Sequence, residues 1–250
     1  MKAFLLAIRF LTIIPAGRSA ACPDQFQVGA SVQYYPLVGL LLGGLFWGFF
    51  LLVDSLFPLS VSVGLLLAFW VILTGALHLD GLADALDGFY AGKTAQERLR
   101  IMKDVHIGTM GLVGLILILG LKYVLLKEIL SFPALIPWLL MLPLVSRWTP
   151  VLLGFFFPYA RPEGGLGQAL VRGTGKKELL AASLTALGLG LVIAGVGALG
   201  LILLCTVWSL ACGWLASRKL QGITGDIMGA VIETSEVWGM LYILKVQHYG

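Results

Sequence analysis

Residues 61–92 read VSVGLLLAFWVILTGALHLDGLADALDGFYAG, an apolar run that closes on three aspartates, Asp80, Asp84 and Asp87. Up to Leu79 the stretch has the length and composition of a membrane-crossing helix, because about 20 apolar residues rising 1.5 Å each span a hydrocarbon core of roughly 30 Å. Acids set against such a run are costly, about 2.5–3.5 kcal/mol each when deep in a span. If the helix continues, the three aspartates fall at i, i+4 and i+7 and share one face, where like charges repel. A single aspartate there would only mark a helix end facing water. Three on one face, with Asp104 returning after a basic loop, call for a cation. An all-oxygen set suits Mg²⁺ or Mn²⁺, whereas zinc would recruit cysteine or histidine.

The rest of the chain fits the same setting. Of 250 residues 59% are apolar and 12% charged, the profile of a polytopic membrane protein. The longest polar stretches, 15–34, 88–106 and 158–178, are too short to build cores of their own, so residues 1–250 read as a single integral membrane domain. The fold class expected is an all-α transmembrane helix bundle of about six to seven spans. They are placed at 36–53, 61–79, 107–126, 134–157, 179–197, 200–217 and 226–245. Residues 1–15 are short for a span and carry Arg9 in mid-run, so they read as a re-entrant or interfacial helix ending before Pro15. Arg9 and the poor cleavage site before Cys22 also argue against a signal peptide. The fourth span, with Pro133, Pro137, Pro143, Pro150 and Pro158, is expected to kink or break. Cys22, Cys205 and Cys212 lack metal-type spacing and read as packing residues.

Thirteen of the seventeen Lys and Arg lie in the first segment and in the connections 80–106, 158–178 and 218–225. The positive-inside rule makes that side cytoplasmic, and the aspartates with it. In the loop after the acids, Lys93, Arg98, Arg100 and Lys103 can pair with phosphate oxygens, with Arg98 and Lys103 the stronger candidates. Arg147 lies deep in an apolar run and must meet a carboxylate or a substrate phosphate. Asp226 and Glu233, at i and i+7, face the same way into the bundle. Metal-assisted phosphoryl transfer is the chemistry these residues support.

The motifs RFLTIIP (9–15), GALHLDGLADALDG (75–88), RLRIMKDVHIGTMG (98–111), SRW (146–148), YARPEGGLG (159–167) and GITGDIMGAVIETSE (222–236) resemble cobalamin synthase, the adenosylcobinamide-GDP ribazoletransferases, in order and nearly end to end. The resemblance implies a Mg²⁺-dependent enzyme (Mn²⁺ as substitute) in the cytoplasmic, or inner, membrane, with its active site facing the cytoplasm. There the 3′-hydroxyl of α-ribazole, or of its 5′-phosphate, attacks the phosphate on cobinamide and GMP leaves. Carried onto this chain, Asp80, Asp84, Asp87 and Asp104 hold the metal, with Asp87 preferred as the base. Asp84, Asp87, Arg98, Lys103 and Arg147 are catalytic, and Arg9, Arg161, Asp226 and Glu233 bind substrate. Residues 159–167 and 222–226 border an open mouth for the corrin. The implied partners are the corrinoid nucleotide, α-ribazole and membrane lipid, with no nucleic acid; a homo-oligomer is compatible.

Asp84, Asp87 and Gly88 also match the start of the CDP-alcohol phosphotransferase motif, but Gly92 stands where that family has arginine. An aspartate-rich prenyltransferase would need a second aspartate-rich motif, for which the second half offers only Asp226 with Glu233. A cation transporter would not need the basic loop.

Overall fold

The computed structural model describes residues 2–16, 25–161, 163 and 166–249, and the apolar runs within them fold as helices. In chain order these are α1 (Lys2–Leu11), α2 (Gln25–Val32), α3 (Tyr35–Asp54), α4 (Leu59–Leu73), α5 (Leu77–Ala91), α6 (Ala95–Ile101), α7 (Thr109–Leu130), α8 (Trp138–Phe156), α9 (Leu166–Gly173), α10 (Lys176–Ala194), α11 (Gly197–Leu220) and α12 (Gly225–Tyr249). Six segments are long and apolar enough to cross a membrane: α3, α7, α8 with its preceding 3₁₀ turn, α10, α11 and α12. This is an all-α, multi-pass membrane protein. The ten residues of α1 are too short to cross, and Ala7, Ile8 and Leu11 are buried against the bundle. Cys205 is buried and Cys212 half-buried, both unpaired; Cys22 lies outside the described residues.

The second expected span is corrected. It does not run on into the aspartates, because α4 and α5 meet at an angle of 84°. The break is at Gly75 and Ala76, which both adopt left-handed backbone, φ 61° and 54°, a conformation natural to glycine. The Ala76 N–H reaches back to Val71 O at 3.0 Å, closing α4 before α5 begins in a new direction. The three aspartates therefore sit on a separate 15-residue helix, and α4 with α5 is a bent pair that together is long and apolar enough to be a broken span or a re-entrant loop.

The proline-rich span is not broken by its inner prolines: α8 runs continuously through Pro143 and Pro150. Proline has no N–H for the carbonyl four residues back. For Pro150 that carbonyl is Ser146 O, and Thr149 Oγ1 donates to it at 2.7 Å, the kind of side-chain repair that lets proline persist in apolar surroundings. α8 is the central helix, 83% buried, and α3 packs closely along it. Gly39 and Gly43, spaced as in the small-residue stripes of membrane helices, leave no room for a Cβ against Pro143 O and Leu140 Cα.

Helix alternation puts the connections 92–108, 157–175 and 221–224 at one end of the bundle. Contacts between them confirm it: Lys103 pairs with Glu163 at 3.2 Å, Arg98 Nη1 donates to Lys219 O at 3.4 Å, and Arg161 pairs with Asp226. α5 lies at this end, packed against the first turns of α7 and α12.

Candidate active site

Small residues bring α5 against α12. A Cβ on Gly81 would lie 2.9 Å from Asp226 Cα, and one on Gly229 3.1 Å from His78 Cα, so the helices touch backbone to backbone. That approach sets Asp226 beside the α5 acids although 142 residues separate it from Asp84. Burial first, then the Asp226 and Asp80 carboxylates, push the half-buried Asp84 up to about 7. Arg161 Nη2 donates to Asp226 Oδ2 at 2.6 Å and to Met102 O at 3.3 Å, and Thr224 Oγ1 bonds the same carboxylate at 3.1 Å. Arg161 is held there by backbone: Ala160 N–H donates to Ile223 O and Ile223 N–H to Pro158 O, each at 2.8 Å. This pins 158–160 to 223, along the border expected for the mouth; Pro162, Gly164 and Gly165 of that border lie outside the described residues.

Asp80 and Asp226 also line an open cavity of about 180 Å³ between α1, α3, α5, α8, α9 and α12. Arg9 is exposed on α1, next to Phe10, which lines this cavity.

The remaining expected residues divide into three groups. Asp87 is engaged elsewhere: its Oδ2 accepts from the Gly108 N–H at 2.7 Å and its Oδ1 from the Gly111 N–H at 2.8 Å, satisfying donors that the first turn of α7 cannot pair internally. Asp104 is exposed, and its Oδ1 accepts from the His106 N–H at 3.0 Å and meets His106 Nδ1 at 2.8 Å. The hydrogen bonds from His106 hold its carboxyl below the usual range. Arg98 and Lys103 stay at the loop end of the bundle, with Arg98 Nε lacking a partner among the described residues.

Arg147 and Glu233 go to a second, deeper cluster. Arg147 pairs with Glu236 and also donates to Ser146 Oγ at 2.9 Å. Lys122 pairs with Glu233 at 2.5 Å and with Glu236, and stands 5.4 Å from the Trp70 ring centre. All four charged side chains are at most 3% exposed. Of the two partners expected for Arg147, the structure supplies the carboxylate. Glu233 does not line the cavity, and the reason is depth: seven residues past Asp226 keep the same face but lie about 10 Å further along the axis. Lys122 and Glu236 were missed as a site. The available signal was the balance of two intramembrane cations against two acids one turn apart, since buried charges must be paired.

Among the described residues, no three acidic, histidine or cysteine side chains converge tightly enough to hold a metal alone. Mg²⁺ does not need three, because it keeps several waters and binds through one or two carboxylates plus substrate phosphate. Asp84 is raised first by burial and then by the Asp226 and Asp80 carboxylates beside it; a cation among these three would relieve the charge part, so this donor set fits the ion.

Residues 3–244 match the family described as cobalamin-5-phosphate synthase. Among similar curated proteins, the adenosylcobinamide-GDP ribazoletransferase of Pseudomonas syringae pv. syringae is 38% identical over 244 residues, 95% of this chain and 96% of its own. That of Pseudomonas paraeruginosa is 40% identical over 241 residues, 94% and 95%. That of Geotalea daltonii is 36% identical over 249 residues, 98% of each. No solved structure matches.

Proposed function

This chain belongs to the cobalamin-5-phosphate synthase family, an enzyme of cobalamin nucleotide-loop assembly, and from that premise we propose that it transfers the phosphocobinamide group of adenosylcobinamide-GDP to the 3′-hydroxyl of α-ribazole or its 5′-phosphate. GMP is released. The observation that carries this reading is the convergence of Asp80, Asp84 and Asp226 beside Arg161 at the loop end of the bundle.

Two of these carboxylates would hold Mg²⁺, which when bound withdraws charge from the diphosphate and eases displacement at phosphorus. The remaining carboxylate takes the proton of the attacking hydroxyl. Asp84 suits that part, because burial and its neighbours raise its affinity for a proton toward neutral pH. Asp87 is less available for that part, since both its oxygens already accept backbone N–H groups. Arg161, Arg98 and Lys103 border the approach and can neutralise the diphosphate and the departing nucleotide. Asp226 orients Arg161. The basic residues at this end support a cytoplasmic-facing site under the positive-inside rule, in a protein of the cytoplasmic membrane.

The test is turnover by purified protein in lipid nanodiscs, supplied with the nucleotide-activated corrinoid and α-ribazole. GMP and a completed corrinoid should appear in equal amounts, cease with chelator, and return with Mg²⁺ or Mn²⁺. Turnover untouched by chelator would remove the metal. Absence of GMP, with pyrophosphate released from a prenyl donor instead, would replace the reaction.

A further inference from the structure

Tyr159 stands in the candidate site without a part in the chemistry above. Its backbone is fixed by a bridge to Ile223, with Ala160 N–H donating to Ile223 O and Ile223 N–H to Pro158 O on either side. Its ring is fixed by the side chain that Gly167 lacks. A Cβ on Gly167 would lie 2.9 Å from Tyr159 Cε2, 3.3 Å from its Oη and 3.2 Å from Gly225 N. The ring therefore lies across the bare face of Gly167, and the hydroxyl is delivered to the start of α12, one residue before Asp226. Arg161 and Asp226 are the charged groups that act on it most, and Arg161 is its side-chain hydrogen-bond neighbour. A guanidinium only donates, so the phenolic proton is left for another acceptor.

We propose that Tyr159 is a further catalytic residue, whose hydroxyl donates a hydrogen bond to a non-bridging oxygen of the substrate diphosphate beside the oxygens that Arg161 neutralises. The assignment rests on the transfer reading above and adds a group to it. Protonation comes first. A phenol with a pKa of about 10 carries its proton at neutral pH and donates without releasing it, so the acceptor's proton still goes to a carboxylate. Place comes second. Arg161 is held on Asp226 at 2.6 Å, and Asp226 acts on Asp84, so a diphosphate seated between Arg161 and the acids brings its oxygens to the phenol. Rigidity comes third. A donor already aimed where charge develops needs no reorganisation during the reaction, and the pairing with Ile223 supplies that. Packing against Gly167 uses the ring alone and gives no reason for an oxygen at this end.

The test is Tyr159→Phe, which removes one oxygen and keeps the ring. In lipid nanodiscs, GMP release should show kcat lower by at least about tenfold, both KM values within about threefold, and an unchanged melting temperature. That split marks an interaction made in the transition state. A second measurement separates contact with the phosphate from support of Arg161. In an Arg161→Lys background the same change should still slow transfer by at least about fivefold. A wild-type rate, a higher donor KM with kcat unchanged, a rate loss matched by a lower melting temperature, or no further loss in the Arg161→Lys background overturns the assignment and leaves the transfer reaction intact. A wild-type protein that releases no GMP from the donor refutes the transfer reading itself, and the Tyr159 assignment falls with it.

Discussion

Arg147 and Glu236 face each other inside the bundle with both side chains fully excluded from solvent. With Lys122 and Glu233 they form a set of two cations and two carboxylates whose formal charges cancel. The set joins α7, α8 and α12, the last two also forming walls of the cavity, so its effect on the site is exerted through helix placement.

Breaking a buried pair by removing one partner costs about 3–5 kcal/mol, while replacing both by apolar groups is often neutral. Glu236→Met should therefore lower the melting temperature in nanodiscs sharply, and Arg147→Met/Glu236→Met should recover at least half of the loss. A double variant as unstable as the single one would show that the charges are not paired as a unit.

The two aspartates one turn apart on α5 should separate cleanly. Asp84→Asn should abolish turnover and leave metal-free stability equal or higher, because one of several crowded charges is gone. Asp87→Ala strands the Gly108 and Gly111 N–H groups, a loss of about 1–3 kcal/mol for an unsatisfied donor, and should speed hydrogen exchange at the start of α7. If Asp87→Ala melts like wild type and exchanges no faster, the cap is not what holds α7.

The raised Asp84 makes a statement about pH. Its folded value of about 7 lies above the ordinary 3.8, so the native state binds the extra proton between them, and the favourable contribution is lost as pH rises through that window. Partial exposure makes the effect modest. Thermal melts in chelator should show stability falling from about pH 4 to 7 and level above, with the slope reduced in Asp84→Asn. An identical slope in the variant would assign it to another group.

Arginine-to-lysine exchange distinguishes orientation signals from phosphate grips, because lysine keeps the charge and loses the planar fork. Arg100 and Arg172 are exposed, and their lysine variants should stay near the wild-type rate. Arg161→Lys should slow transfer by at least about tenfold, equivalent to roughly 1.4 kcal/mol, as measured by initial rates of GMP release. Equal rates for all three would leave Arg161 as a purely structural partner of Asp226.

Much of this was legible along the chain. The all-α class and most of the spans follow from runs of apolar residues, and the shared face of Asp80, Asp84 and Asp87 survives because α5 is helical throughout. The left-handed turn at Gly75 and Ala76 was not legible, since an alanine in that conformation has no compositional mark. Nor was the continuity of α8, which depends on Thr149 supplying the hydrogen bond that Pro150 cannot.

By itself the sequence determined which runs are apolar enough to enter the membrane and which acids share a helical face, because hydropathy and helical periodicity are properties of one segment at a time. Only the tertiary structure decided which acids meet. It joined Asp226 to Asp84, turned Asp87 to α7, and sent Arg147 and Glu233 to a different depth. Periodicity gives a direction around a helix axis. Depth and partner depend on where helices cross, and those crossings are set by contacts such as Gly81 on Asp226 and Gly39 on Pro143, between residues far apart in the chain.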